Sequence, residues 1–140
     1  MMNLVITILS ILVAIEFFYI MYLETFATSS PTTGRVFNMT SEDLQNQKIQ
    51  TLFKNQGIYN GLIAVGIIYA LFFTHNYHNS LLAIMIYIIL VALYGSFSSG
   101  NKSIFFKQGT LAVIVAILLL INWYFIKHSQ SAYIRAKRSR

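Results

Sequence analysis

Cysteine is absent from the chain. That excludes a disulfide scaffold, a thiolate metal site and a cysteine nucleophile, and it removes redox usage as a guide to compartment. Charge is scarce too. Only 10% of the 140 residues are Asp, Glu, Lys or Arg, where a soluble domain carries about 25%. Acids are rarer still, with four against ten Lys and Arg. The net charge of +6 comes largely from Arg135, Lys137, Arg138 and Arg140 at the C-terminal end. Such a run suits a solvated segment on anionic lipid headgroups. A nucleic-acid partner would need a basic folded surface, and none is visible.

What is there is apolar. Hydrophobic residues make up 56% of the chain, and four runs each approach the ~20 residues that cross a hydrocarbon core. The expected fold is therefore all-α: a four-transmembrane-helix bundle with a polar, amphipathic segment between helices one and two. Residues 1–127 form the single membrane domain, and residues 128–140 a basic, flexible tail.

The first helix is expected from Asn3 to Phe26. It lacks a positively charged start and carries Glu16, so it reads as a retained helix and not a signal peptide. A polar break follows, Thr28 to Asn38, with Pro31 and Gly34 as turn formers. Thr40 and Asp43 have the spacing of a capping box. The stretch Leu44 to Asn55 is either an interfacial helix or the polar first half of helix two. Apolar helix two spans Ile58 to Phe73, helix three Leu81 to Phe97, and helix four Ile104 to Ile126. Gly57 and Gly61 form one small-residue seam, and Gly109, Ala112 and Ala116 a second. Trp123 and Tyr124 suit a headgroup-level anchor.

Orientation follows from loop cations. Lys127 and the tail cations stand on one side; Arg35, Lys48, Lys54, Lys102 and Lys107 stand on the other. The balance is even. Both termini are read as cytoplasmic, because Arg35, Lys102 and Lys107 are set aside as site residues.

Glu16 is the most informative position. A charge at the helix centre costs about 2.5–3.5 kcal/mol on insertion scales, so such a residue faces protein or a wet cavity. One reading is a proton-responsive or cation-binding group inside the bundle; the other is a structural hydrogen bond between helices. Glu24 is eight residues on, turned by about 80° and ~12 Å further along the axis. Both acids can look into one bundle, with Arg35 or Lys54 as Glu24's natural partner. Asn55, Gln56, Tyr59 and Asn60 cluster at the start of helix two, either around a ligand or as interhelical hydrogen bonds.

Other patterns are weaker. Gly95 to Ser103 misses a phosphate-binding loop by one residue, Asn101, and follows a membrane helix instead of a strand. A nucleophile elbow fails because Phe97 stands where its serine belongs. His75 and His78 in a short loop are weak evidence for metal and read as solvated. No metal or cofactor is expected. Lys102 and Lys107 suit a headgroup phosphate or a Glu.

The segments Ile20-Met-Tyr-Leu-Glu24-Thr-Phe26, Gly34-Arg35-Val-Phe37-Asn-Met39, Asn55-Gln-Gly-Ile-Tyr59-Asn-Gly61, Tyr94-Gly95 and Gln108-Gly109 resemble the bacterial family called domain of unknown function 1304. The third segment is the most specific. The resemblance runs from helix one to helix four. It implies a four-helix, multi-pass protein of the bacterial cell membrane with no settled activity. A His that precedes the Leu-Glu pair in the family pattern is replaced near that place by Phe17 or Phe18, which weakens a proton relay.

The leading functional expectation is a binding or transport module. Its polar cavity would be lined by Glu16, Glu24, Arg35, Asn55, Gln56, Tyr59, Asn60, Lys102 and Gln108. The ligand would be a small amphiphile, a cationic solute or a lipid headgroup. Small multidrug transporters offer an analogy of architecture alone. A membrane enzyme acting on a lipid or isoprenoid phosphate ranks second, since no familiar catalytic motif is present. It would use Glu16 or Glu24 as acid or base, with Arg35 and Lys102 on the phosphate. A third reading has the polar residues only tying helices together. Membrane lipid, a small-molecule ligand and a second copy in a homodimer are the partners considered.

Overall fold

In hydrocarbon every backbone polar group must find a partner within the protein, which leaves helices as the economical solution for long apolar runs. The computed structural model describes residues 1–138, with the side chains at 132, 133 and 136 outside the description. Arg140, counted above in the basic tail, lies outside the described residues. The described residues form α1 (Met2–Thr25), α2 (Pro31–Phe37), α3 (Ser41–Gln45), α4 (Gln47–Phe73), α5 (Tyr77–Ser99), α6 (Lys102–Gln108) and α7 (Thr110–Arg138). Helices α1, α4, α5 and the Thr110–Ser131 part of α7 are long and apolar enough to cross a membrane.

The four long helices close a ring. α1 packs on α4, α4 on α5, α5 on α7, and α7 returns to α1; the α1–α4 interface is the most extensive. Consecutive spans run in opposite directions. One end of the bundle holds the start of α1, the α4–α5 turn and the end of α7. The other end holds α2, α3 and α6.

Each span is apolar nearly all round, so burial is decided by shape more than by polarity. On α1 the buried stripe is Ile6, Ser10, Val13, Ala14, Phe17, Ile20, Leu23 and Glu24, the three-and-four spacing of one helix face. Leu4, Ile8, Leu12, Ile15, Tyr19 and Tyr22 point outward, where acyl chains would meet them. The facing stripe of α4 is mostly small: Gly57, Asn60, Gly61, Ala64, Ile67 and Ala70. A side chain at Gly57 would run into Thr25 Oγ1, Glu24 Cβ and the Met21 carbonyl; at Gly61 it would meet the Met21 side chain. The first small-residue seam is therefore the α1–α4 contact. In the second, Gly109, Ala112 and Ala116 are all buried. Gly109, however, sits at the junction of α6 and α7, and a Cβ there would meet α6's own Phe105.

Several element boundaries differ from the sequence expectation. Of the two readings of Leu44 to Asn55, the polar first half of helix two holds from Gln47 onward, within a 27-residue α4, while Leu44 belongs to α3. The polar break carries its own helix, α2, because Ser30 accepts from the Thr33 amide and Pro31 occupies the first turn, where its missing N–H costs nothing. The capping box forms as its spacing requires, with Thr40 and Asp43 exchanging hydrogen bonds at the start of α3. Helix three runs past Phe97: α5 continues to Ser99, and the chain reverses at Gly100, φ 66°, a conformation glycine adopts without strain. Helix four divides into α6 and α7 at Gly109. α7 continues through the basic segment as helix to Arg138.

Candidate functional site

The two acids of α1 go to different places. Glu16 lies nine residues before Thr25, about 13 Å inside that end of α1 at 1.5 Å per residue. It is half-buried and lines a cavity of about 250 Å³ bounded by Tyr19 and Ile20 of α1, Val36 and Phe37 of α2, and Ile104, Lys107 and Gln108 of α6. Among the described residues, no side chain donates a hydrogen bond to its carboxylate. Most of the wall is apolar, and the polar groups beside Glu16 come from Tyr19, Lys107 and Gln108. Lys107 Nζ donates to the Val36 carbonyl at 3.1 Å. That bond uses one of the ammonium's three protons and ties α6 to α2 across the mouth.

The wall has a local cause. Thr33 Oγ1 donates to the Ala27 carbonyl at 2.7 Å, holding α2 against the end of α1. Ser29 Oγ donates to the Leu44 carbonyl at 3.1 Å. Gln50 Nε2 lies 3.0 Å from Ser29 Oγ and 2.9 Å from the same Leu44 carbonyl. Phe37 of α2 packs edge-on against Phe53 of α4, ring centroids 5.2 Å apart. These contacts fold the polar segment back over the bundle, so Val36 and Phe37 roof the space beside Glu16.

Glu24 is only 4% exposed. It faces α4, and Asn60 Nδ2 donates to its Oε2 at 2.6 Å. The partner expected from sequence, Arg35 or Lys54, does not fill that place. Arg35 is exposed and donates to Thr32 Oγ1 at 3.3 Å, and Lys54 is exposed near the start of α4. The Glu24–Asn60 pair sits inside the glycine seam, where Gly57 and Gly61 bring the two backbones close enough for the short side chains to meet.

The family model described as Protein of unknown function (DUF1304) matches residues 11–120. A relative from Lactococcus lactis subsp. lactis (strain IL1403), named uncharacterized protein YpaA, is 61% identical over 116 residues, covering 83% of this chain and 97% of its own length. The chain belongs to the DUF1304 family. No solved structure matches it. The whole cavity lining and the Glu24–Asn60 pair fall within the span that defines the family.

The remaining residues named from sequence do not gather at this cavity. Asn55 and Gln56 are exposed on α4, and Lys102 is exposed at the start of α6. Tyr59 is exposed and lines a separate, open groove between α4 and α5 with Leu62, Ile63, Gly66, Ala83, Ile84 and Tyr87. Of the nine residues expected around one ligand, Glu16 and Gln108 share the cavity, while Glu24 and Asn60 pair with each other.

A second polar cluster was not anticipated. At the opposite end of the bundle, Asn122 Nδ2 lies 2.7 Å from Asn3 Oδ1 and 2.8 Å from His78 Nε2. It joins α1, α5 and α7. His78 is thus a helix-linking residue in the first turn of α5, where a solvated loop position was expected. The available signal was Asn122 itself, a lone amide in the run Leu118 to Phe125, since an amide at membrane depth needs a partner. His75 is exposed. Among the described residues there is no group of three His, Cys, Asp or Glu side chains that could hold a metal ion.

Proposed function

We propose that this protein binds a small amphiphilic ligand in the cavity beside Glu16, with a cationic group of the ligand against the Glu16 carboxylate. The observation that carries this reading is an acid on a membrane-spanning helix, with no side-chain donor among the described residues, opening onto a cavity with mostly apolar walls. A carboxylate in such a place is costly, and intramembrane acids mark ligand or ion paths by default. At about 250 Å³ the space is slightly below the ~300–1,000 Å³ of drug-sized sites, so it suits a headgroup or a compact solute. Tyr19 lies at the cavity and is half exposed on the lipid-facing side of α1, which supports entry from the bilayer.

The enzyme reading has less support. It needs a carboxylate with Arg35 and Lys102 around one phosphate, and neither cation lines the cavity. The proposal also takes both termini as cytoplasmic, which labelling of single cysteines introduced at Ser80 and Ser99 in intact cells would check.

The test is Glu16→Gln, with tetraethylphosphonium as the compact cationic probe. Wild-type protein in nanodiscs should bind the probe, and the variant should lose at least tenfold in affinity while keeping its thermal unfolding midpoint. Equal binding by the two proteins would remove the reading.

A further inference from the structure

The cavity holds one acid and one base from different elements. Glu16 comes from α1, and Lys107 from α6 with Gln108 beside it. The two charges are not redundant. Lys107 is exposed at the mouth, where its Nζ donates to the Val36 carbonyl, and two ammonium protons remain for another acceptor. A purely cationic ligand would answer Glu16 and meet Lys107 as a like charge. A purely anionic ligand would answer Lys107 and meet Glu16 in the same way. Like charges brought together across so small and partly desolvated a space are penalised, and opposite charges rewarded.

We propose that the ligand is a zwitterionic amphiphile carrying an ammonium and a phosphate, the chemistry of an ethanolamine phospholipid headgroup. This deepens the reading given above and rests on it. The ammonium faces Glu16. The phosphate faces Lys107, with the Gln108 amide and the Tyr19 hydroxyl as further donors. Ile20, Val36, Phe37 and Ile104 supply apolar walls for the carbons that join headgroup to chain. The acyl chain leaves past Tyr19, along the outward face of α1 where Ile15 and Tyr22 are also exposed. Glu16 lies about 13 Å inside the end of α1, while α6 belongs to the polar end, so a headgroup reaching in from that end leads with its ammonium.

The experiment compares four probes on the whole protein in a neutral detergent, by native mass spectrometry and by fluorescence titration. They are lysophosphatidylethanolamine, lysophosphatidylglycerol, tetraethylphosphonium and free phosphoethanolamine. Wild-type protein should hold the ethanolamine lysolipid about tenfold more tightly than the glycerol lysolipid. Lys107→Met should lower that affinity about tenfold and tighten tetraethylphosphonium binding, since it removes the like charge, and Lys107→Arg should restore the lysolipid affinity. Glu16→Gln should weaken both the ethanolamine lysolipid and the phosphonium. Free phosphoethanolamine should bind at least tenfold more weakly than the lysolipid; equal binding would overturn the amphiphile and point to a soluble zwitterion. No preference between the two lysolipids, or no effect of Lys107→Met, would overturn the zwitterion and leave the Glu16 reading standing. Phosphonium binding that ignores Glu16 would overturn the earlier reading itself.

Discussion

Glu16 and Glu24 are the same residue on the same helix, two turns apart, and they have opposite fates. Glu24 is enclosed by the α1–α4 seam and takes a hydrogen bond from Asn60 at 2.6 Å. Glu16 stands beside a cavity, and none of the described side chains donates to it. The angle between them, about 80°, is what divides them. It turns Glu24 onto the face that meets α4 and leaves Glu16 facing α2 and α6. The lesson is that an intramembrane acid is not informative by type alone. What it touches decides whether it holds the fold together or stays available to something else.

The comparison can be broken most directly by replacing each acid with leucine. Glu24→Leu strands the Asn60 amide in a buried seam. A buried polar group left without its partner costs about 1–3 kcal/mol, and unfolding in mixed micelles or by steric trapping should show a loss of that size. Asn60→Leu should cost a similar amount, and the double variant should cost less than the sum, since the two side chains form one interaction. Glu16→Leu should have the opposite sign. It removes an unsatisfied acid from an apolar wall, so stability should rise by about 0.5–2 kcal/mol, as when a site residue is traded for packing. Destabilisation by both changes would show that Glu16, too, is a structural group.

The seam that encloses Glu24 gives the next largest effect. A methyl group at Gly57 meets Glu24 Cβ at 3.0 Å and the Met21 carbonyl at 3.2 Å, and a backbone cannot turn aside. Overpacking costs about 1–3 kcal/mol; the helix gains about 1 kcal/mol when Ala replaces Gly. Gly57→Ala should therefore be destabilising by about 1 kcal/mol, with loss of the Glu24–Asn60 coupling. At Gly61 the obstacle is the end of the Met21 side chain, which can swing away, so Gly61→Ala should be close to neutral. Equal effects at the two glycines would mean that the helices are not held at the distance the Glu24 bond requires.

The legibility of this arrangement from sequence follows the same division. Four spans could be read because length and hydropathy act locally, and the capping box could be read because its partners are three residues apart. Gly57 and Gly61 could be read as a seam, since small residues four apart share a face whatever they pack against. The destination of Glu24 could not. Choosing Asn60 over Arg35 or Lys54 depends on which face of α4 meets α1 and at what register, and a helix that is apolar nearly all round carries little directional signal. The roof over Glu16 was hidden for another reason. The segment from Thr28 to Asn38 reads as a turn, yet Ser30, Pro31 and Thr33 fold it into α2 and fasten it to α1. Lys107 reaches it from 71 residues away, a pairing that no local pattern encodes. Asn122, by contrast, could have been read.

Asp43 extends the comparison to an acid in water, where the effect is smallest. Two hydrogen bonds from Thr40, first from its hydroxyl and then from its backbone N–H, hold the Asp43 carboxyl below the ordinary aspartate range. The sign follows from linkage: a depressed folded value means that the bonds contribute fully above the unfolded value and are lost as pH falls through the folded one. The side chain is exposed, so the contribution is local to α3 and does not reach the bundle. Amide exchange at Asp43 and Leu44, corrected for intrinsic rate, should speed up below the ordinary aspartate value in wild-type protein, and Asp43→Asn should be insensitive to pH over the same range. Bundle stability should not change across it. A cooperative loss of the whole bundle in that range would mean that α3 governs the roof over Glu16. Exchange that stays flat in wild-type protein would mean that the Thr40–Asp43 box is not formed in solution. Either result would remove the contrast between an acid whose satisfaction is local and one, Glu24, whose satisfaction holds two helices together.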